Sequence, residues 1–485
     1  MFFVLFSFHS IAEYHKDLLQ QRCSCEQAVE WYLERIASNA HLNAFVEVFA
    51  DEAKERARQL DAERISNSTL PPLHGVVIAL KDVIAYKGHG LSASSNILKG
   101  FKSIYHATAV QRLLEQGAII IGSTNCDEFA MGSTNEHSAY GKTLNGINPD
   151  HVPGGSSGGA AVALQTNCCM ISLGSDTGGS VRQPADFCGV IGMKPSYGRI
   201  SRYGLIAYAS SFDQIGIFAH NVPDLALALE IMSGPDEFDS TAIASQPAAY
   251  STELNKEATG PLKIAYFKEA FESPALDSTI AAALKKLVIQ LEKDGHQVEP
   301  ISFEYLDYIV PTYYILTTAE ASSNLSRYDG VRYGSRNVDK NGKLSDFYSH
   351  TRSKGFGWEV KKRIMLGSFV LSAGYFDAYF TRAQQVRRLL VDKTNLIFSE
   401  FDALLLPTAP TTAFRIGEKT EDPIAMYMAD IFTVFANLTG IPGISLPLFQ
   451  HPNGLPFGLQ VMTSRNSELS LLRISNDWLS RYKGY

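Results

Sequence analysis

Residues Pro153 to Pro195 read PGGSSGGAAVALQTNCCMISLGSDTGGSVRQPADFCGVIGMKP. Two Gly-Gly-Ser turns lie in this stretch, Gly154-Gly155-Ser156 and Gly178-Gly179-Ser180. Between them an Ala/Val/Leu run has helical spacing, and the apolar run Cys169 to Leu173 predicts a strand. A glycine pair frees the backbone for conformations closed to other residues. It also bares N–H groups that can converge where negative charge develops, which is what an oxyanion hole requires.

Upstream, Gly75 to Asp82 reads GVVIALKD and predicts a buried strand ending on Lys81. Burial disfavours the ammonium form, lowers the pKa and leaves a neutral amine that accepts protons. One lysine and two serines on glycine-rich turns point to a Ser-Ser-Lys hydrolase. Ser180 is the expected nucleophile, Ser156 the proton relay and Lys81 the base. Backbone N–H groups of Thr177, Gly178 and Gly179 are the expected oxyanion donors.

Each of these residues has a plainer reading. Ser180 fits a helix N-cap after a glycine turn. Lys81 fits a side chain that snorkels from a strand end, or one that pairs with Asp82. Strand neighbours alternate faces, so Asp82 is expected to point away from Lys81. Gly154 to Gly158 also matches the G-x-S-x-G elbow, but GINPDHVP before it (Gly146 to Pro153) is no strand. Ser157 is expected to make a backbone hydrogen bond in its turn. None of the twelve histidines sits in a setting that singles it out for a Ser-His-Asp triad. Neither turn is followed by Gly-Lys-Ser/Thr, which disfavours a phosphate-binding loop.

Lys81, GGSSGG at Gly154 to Gly159 and DTGGSVRQPA at Asp176 to Ala185 resemble the amidase signature family. The likeness continues through KPSYGRISRYGL (Lys194 to Leu205), SSFDQIG (Ser210 to Gly216), AEASSNLSRYDGVRYG (Ala319 to Gly334), KKRIMLGSFVLSAGYFDAY (Lys361 to Tyr379) and ANLTGIPGISLP (Ala436 to Pro447). Within the family, it is similar to the branch of glutaminase subunits of tRNA-dependent amidotransferases. Stand-alone amidases acting on other amides are the alternative.

The resemblance implies an α/β fold, one large domain with a central mixed sheet flanked by helices on both faces. N-terminal helices would span roughly residues 10–65, the signature core roughly 70–220, and a variable second half roughly 260–485. It implies a cis peptide at Gly155–Ser156 and a zwitterionic substrate, glutamine. Arg363 would hold the carboxylate and Asp430 the ammonium, with Tyr314 nearby. Read alone, Arg363 is one more charge in Lys361-Lys362-Arg363, and Asp430 a loop aspartate. The loop Gly122 to Gly141 would line the acyl pocket, with Cys126 where family members commonly carry Met. The N-terminal helices would help to form a platform for subunit contacts. Two further subunits are implied, one of them using ATP and Mg and presenting mischarged tRNA. No cofactor is implied in this chain.

The chain has 485 residues, 45% hydrophobic, 19% charged, with a formal net charge of −7. That is ample for a large core. It offers no basic face for gripping tRNA unaided, so a partner is expected to hold the nucleic acid. Cys23, Cys25, Cys126, Cys168, Cys169 and Cys188 lack zinc-site spacing and are expected to be reduced thiols in a cytoplasmic protein. The apolar opening MFFVLFSFHS lacks a basic leader region and is too short to span a bilayer. It is expected to be a buried or start-extended terminus, and no membrane association is expected.

Ser24 with Gln27 predicts a capping box, followed by Ala28, Val29, Tyr32, Leu33 and Ile36 at helical spacing. Charged Asp51 to Asp61 predicts a second helix. Ala107 to Gln116 predicts a helix and Ala118 to Ile121 a strand, the alternation of a layered βα architecture. Gly192 to Gly216 is rich in turns, and Pro235 to Pro261 is a polar connection. Lys263 to Phe267, Ser278 to Lys293 and His296 to Phe303 predict strand, helix and strand. Gly374 to Phe401 predicts a long helix. Ala403 to Leu406, Gly443 to Leu446 and Phe457 to Met462 predict strands, and Ser467 to Tyr482 a closing helix.

Overall fold

Val77–Lys81 forms a strand with every residue buried, as its unbroken apolar run requires. The structure is a computed structural model, and it describes residues 6–66, 69–256, 260–337, 343–419 and 429–484. In chain order the strands are β1 (Phe45–Val48), β2 (Val77–Lys81), β3 (Ile119–Thr124), β4 (Ile171–Asp176), β5 (Ile191–Lys194) and β6 (Gln214–Ala219). They continue with β7 (Lys263–Phe267), β8 (Gln297–Ile301), β9 (Ala403–Pro407), β10 (Gly443–Gln450) and β11 (Pro456–Met462). Among the described residues all eleven join one sheet, in the order β1-β3-β2-β4-β6-β5-β10-β11-β9-β7-β8.

The sheet is mixed. β2 runs parallel to β3 and β4, and β7 parallel to β8 and β9. The pairs from β4 through β6, β5, β10 and β11 to β9 are antiparallel. β2, β3, β4, β6 and β9 are buried at every position, so residues pointing to either face are covered. Helices supply the cover, Gly158–Gln165 beside β2 and β4, and Arg182–Cys188 beside β5, β10 and β11.

Local rules account for most elements. Ser24 and Gln27 form the capping box of helix Cys25–Ser38, which buries Ala28, Val29, Tyr32 and Ile36. The charged segment after Phe49 is helix Ala50–Ser66. Met1–Leu5 lie outside the described residues, while Phe6 packs edge-on against Tyr14, Trp31 and Tyr32. The turn-rich stretch Gly192 to Gly216 runs from β5 into β6. Gly192 and Gly216 interrupt the apolar pattern of these two strands, which hides them in sequence. The segment Gly374 to Phe401 is less regular than one long helix. A π-turn at Asp377–Thr381 precedes helix Arg382–Glu400, and Ser372 to Tyr379 is exposed throughout.

No helix among the described residues is long and apolar enough to cross a membrane. All six cysteines are free, and no group of residues able to hold a metal is found among the described residues.

Candidate active site

The parallel neighbours β2 and β4 place Lys81 beside the chain that leads into the second glycine turn. Lys81 ends β2, fully buried. Its Nζ lies 2.7 Å from Ser156 Oγ, 2.9 Å from Ser157 Oγ and 2.9 Å from Ser175 Oγ. Three hydroxyl oxygens satisfy either the three N–H donors of an ammonium or the two donors and lone pair of a neutral amine. Ser157 Oγ donates to the Ser175 carbonyl at 3.1 Å, so its own lone pair faces the lysine. In the neutral form the lone pair of the amine has Ser156, its nearest partner, within reach.

Burial works toward that neutral form. Burial lowers the Lys81 pKa from 10.5 to about 8. No carboxylate stands within ion-pair distance of it among the described residues. Cys126, whose thiolate would act most strongly on Lys81, is itself pushed up to about 12 by burial and is an uncharged thiol at neutral pH. Asp82 faces the other way. It accepts from Ser92 N–H at 3.1 Å, Ser94 N–H at 2.7 Å and the Ser92 hydroxyl at 2.5 Å. Burial pushes Asp82 up to about 6.

The first serine turn precedes helix Gly158–Gln165, and the residues before it form no strand, so the elbow pattern does not apply. The Gly155–Ser156 peptide is cis. The two turns are tied together, since Ser157 N–H donates to the Ser180 carbonyl at 3.2 Å. Ser180 itself is 8% exposed, and its hydroxyl has no hydrogen-bond partner among the described residues. It precedes helix Arg182–Cys188 by two positions and caps nothing, since that helix has no side-chain cap. The Ser180 hydroxyl is thus uncommitted, and its turn is joined to the lysine–serine array through the Ser157 N–H bond.

The oxyanion assignment needs one correction. Gly179 N–H donates to Asp176 Oδ1 at 2.8 Å, so it is already committed. Thr177 and Gly178 N–H have no acceptor among the described residues and keep the role open to them. Gly179 contributes shape instead. Its φ is +124°, and a Cβ there would sit 2.1 Å from Thr433 Oγ1. Asp176 organises the turn. It accepts from Val181 N–H at 3.1 Å, Arg182 Nε at 3.1 Å, the Arg182 terminal nitrogen at 2.9 Å and Asn437 Nδ2 at 2.9 Å. Burial alone would raise its pKa, but the Arg182 guanidinium holds it well below the usual carboxylate range.

Arg363, Tyr314 and Asp430 come together from distant parts of the chain. Arg363 lies on helix Trp358–Val370 and is only 5% exposed, not a solvated charge. Its Nε donates to Glu359 Oε1 at 2.9 Å and one terminal nitrogen donates to Tyr208 Oη at 2.7 Å. The guanidinium stacks on the rings of Tyr208 and Tyr314, each 5.5 Å away. The remaining N–H groups of its fork meet no acceptor among the described residues, a geometry suited to a carboxylate. Tyr314 Oη donates to Asp430 Oδ2 at 3.5 Å, and Ser133 Oγ donates to the same oxygen at 2.6 Å. Burial pushes Asp430 up to about 7. Thr433 Oγ1 donates to the Gly178 carbonyl at 2.7 Å, which docks the Asp430 loop onto the nucleophile turn. Arg363 and Asp430 are thus both buried and linked through Tyr314, and the Asp430 loop meets the second glycine turn through Thr433.

Sequence reasoning missed Ser175 and undervalued Ser157, both of which complete the shell of Lys81. It also missed Asp176, Ser133, Tyr208, Asp213 and Thr433. Asp176 carries a readable signal, an acidic residue between a strand and a glycine turn, with Arg182 six positions on.

Comparisons with known proteins bear on the family and the fold. The Amidase family model matches residues 27–472. The glutamyl-tRNA(Gln) amidotransferase A-subunit of Koribacter versatilis is 47% identical over 460 residues, covering 94% of this chain and 95% of that protein. Its counterpart in Chlorobaculum tepidum, of the same name, is 47% identical, covering 96% of this chain and 97% of that protein. The crystal structure of the Thermotoga maritima glutamyl-tRNA(Gln) amidotransferase A-subunit superposes with a TM-score of 0.79 at 37% identity, covering 98% of this chain and 94% of that one. A peptide amidase from Stenotrophomonas maltophilia superposes with a TM-score of 0.83 at 26% identity, over 99% and 98% of the two chains. The match to the family model over most of the length, on a fold that delivers a buried lysine to paired serine turns, shows that this chain belongs to the amidase signature family.

Proposed function

We propose that the chain is the glutaminase subunit of a tRNA-dependent amidotransferase and hydrolyses glutamine by Ser-Ser-Lys chemistry. The observation that carries the reading is a buried amine ringed by three serine hydroxyls, in a fold that also buries Arg363 and Asp430 on either side of Tyr314. Opposite charges in one pocket suit the carboxylate and ammonium of an amino acid. The relatives named as glutamyl-tRNA(Gln) amidotransferase A-subunits support the same substrate.

In the proposed cycle neutral Lys81 takes the proton of Ser156, and Ser156 takes that of Ser180. Ser180 Oγ bonds to the side-chain carbonyl carbon of glutamine, and the carbonyl electron pair moves to oxygen. Thr177 and Gly178 N–H groups hold that oxyanion. The proton returns through Ser156 to the amide nitrogen, the C–N bond breaks and ammonia leaves. Water then cleaves the glutamyl ester, giving glutamate and free Ser180. Ammonia passes to a partner subunit that binds ATP, Mg and mischarged tRNA and amidates the tRNA-bound glutamate. Two further subunits complete the assembly, which works in the cytoplasm.

The test is glutaminase activity of the chain alone and with its partner subunits, ATP and Glu-tRNA(Gln). Stimulation by the partners and loss in Ser180→Ala support the reading. Turnover indifferent to partners, with other amides preferred, identifies a stand-alone amidase instead.

A further inference from the structure

Two pieces of the site, the carboxylate anchor and the oxyanion turn, are joined by a short segment that neither motif contains. Tyr208 and Asp213 lie in it, 1% and 3% exposed. Tyr208 Oη accepts from Arg363 at 2.7 Å and donates its own proton to Thr317 Oγ1 at 3.1 Å. The Tyr208 ring lies under the guanidinium. Asp213 uses one oxygen to accept from Tyr208 N–H at 2.9 Å and the other to accept from Thr177 Oγ1 at 2.6 Å. Asp213 N–H donates to the Ala209 carbonyl at 2.9 Å, which closes the loop on itself.

The geometry points to Tyr208 and Asp213 as positioning residues: Tyr208 aims the Arg363 fork at the carboxylate of the substrate, and Asp213 locks that aim to the oxyanion turn through Thr177. Arg363 has its Nε committed to Glu359, so its rotation about that bond is fixed by what the terminal nitrogens meet. The Tyr208 hydroxyl takes one terminal N–H and directs the others. Thr177 N–H, with its side chain clamped by Asp213, stays where the oxyanion forms. Recognition at one end of glutamine is thus set by the same loop that shapes the donor at the other end.

The inference rests on the reading of Arg363 as the carboxylate anchor, and the test separates the two. The chain assembled with its partner subunits is assayed on glutamine and on 4-aminobutyramide, which is glutamine without its carboxylate. Wild type should strongly prefer glutamine, and equal use of both substrates would overturn the anchor itself. In Tyr208→Phe the ratio of kcat/KM values for glutamine over 4-aminobutyramide should fall about tenfold, mainly through the KM for glutamine. An equal loss on both substrates, or no loss, would overturn the aiming role. Asp213→Asn should lower kcat about tenfold on both substrates. An unchanged kcat in that variant would overturn the lock. Thermal melts of both variants identify any that fail to fold, and Thr317→Val, which removes the acceptor of the Tyr208 hydroxyl, then gives a second reading of the same ratio.

Discussion

The amine of Lys81 lies 2.7 Å from the hydroxyl oxygen of Ser156, with no carboxylate among the described residues in ion-pair contact with it. In the proposed cycle this pair is the base and the relay. Lys81→Ala and Ser180→Ala should each lower glutamine hydrolysis by about a thousandfold or more. Because the residues act as a unit, the double variant should be no slower than Ser180→Ala. Single-turnover assays check this, and multiplying losses would rule out a shared pathway.

The same pair sets a pH dependence. Lys81 is active as the neutral amine, so its contribution rises as pH climbs through about 8. Asp430 must be ionised to hold the substrate ammonium, so its contribution fades as pH falls below about 7. A plot of log kcat/KM for glutamine should therefore climb with unit slope between the two values and steepen below pH 7. Asp430→Asn should remove the steeper limb and leave the other. A profile that falls as pH rises from 6 to 8 would contradict the base assignment.

Arg363→Lys keeps the charge and removes the fork. Lysine offers a point charge where a planar pair of donors is needed. The KM for glutamine should rise about tenfold to a hundredfold with a smaller change in kcat. Initial-rate kinetics decide, and an unaltered KM would place the carboxylate elsewhere.

Asp176→Asn tests the frame of the nucleophile turn. Arg182 is fully buried, and loss of the carboxylate leaves its charge unpaired. Removing one partner of a buried ion pair typically costs about 3–5 kcal/mol. Urea unfolding should show a loss of that order, with activity reduced. Arg388→Ala, which breaks a pair at 77% and 48% side-chain exposure, should be nearly silent in the same assay.

Much of the site was legible because its chemistry is local in sequence. The glycine pairs before Ser156 and Ser180 and the apolar run ending on Lys81 each announce a turn or a buried strand. What stayed hidden is long-range. Ser175 reads as an ordinary strand residue until β2 is set beside β4. Arg363 sits in a basic triplet, and only the helix packing against Tyr208 and Tyr314 buries it. The commitment of Gly179 N–H to Asp176 depends on a turn whose dihedral angles no residue pattern reports. Strands β5 and β6 escaped because glycine breaks their apolar rhythm, whereas β7 and β8 kept theirs and were found.

The ladder between β5 and β10 has a mechanical consequence. Lys194, Met193 and Gly192 register with Gly443, Ile444 and Ser445, so the two halves of the chain are stitched through the middle of one sheet. The proposed site draws Lys81 and both serines from one half and Arg363 and Asp430 from the other. A clamshell motion about that seam would tear hydrogen bonds from the most deeply covered part of the molecule. Access to the site therefore falls to side-chain and loop motion rather than to an opening of the sheet.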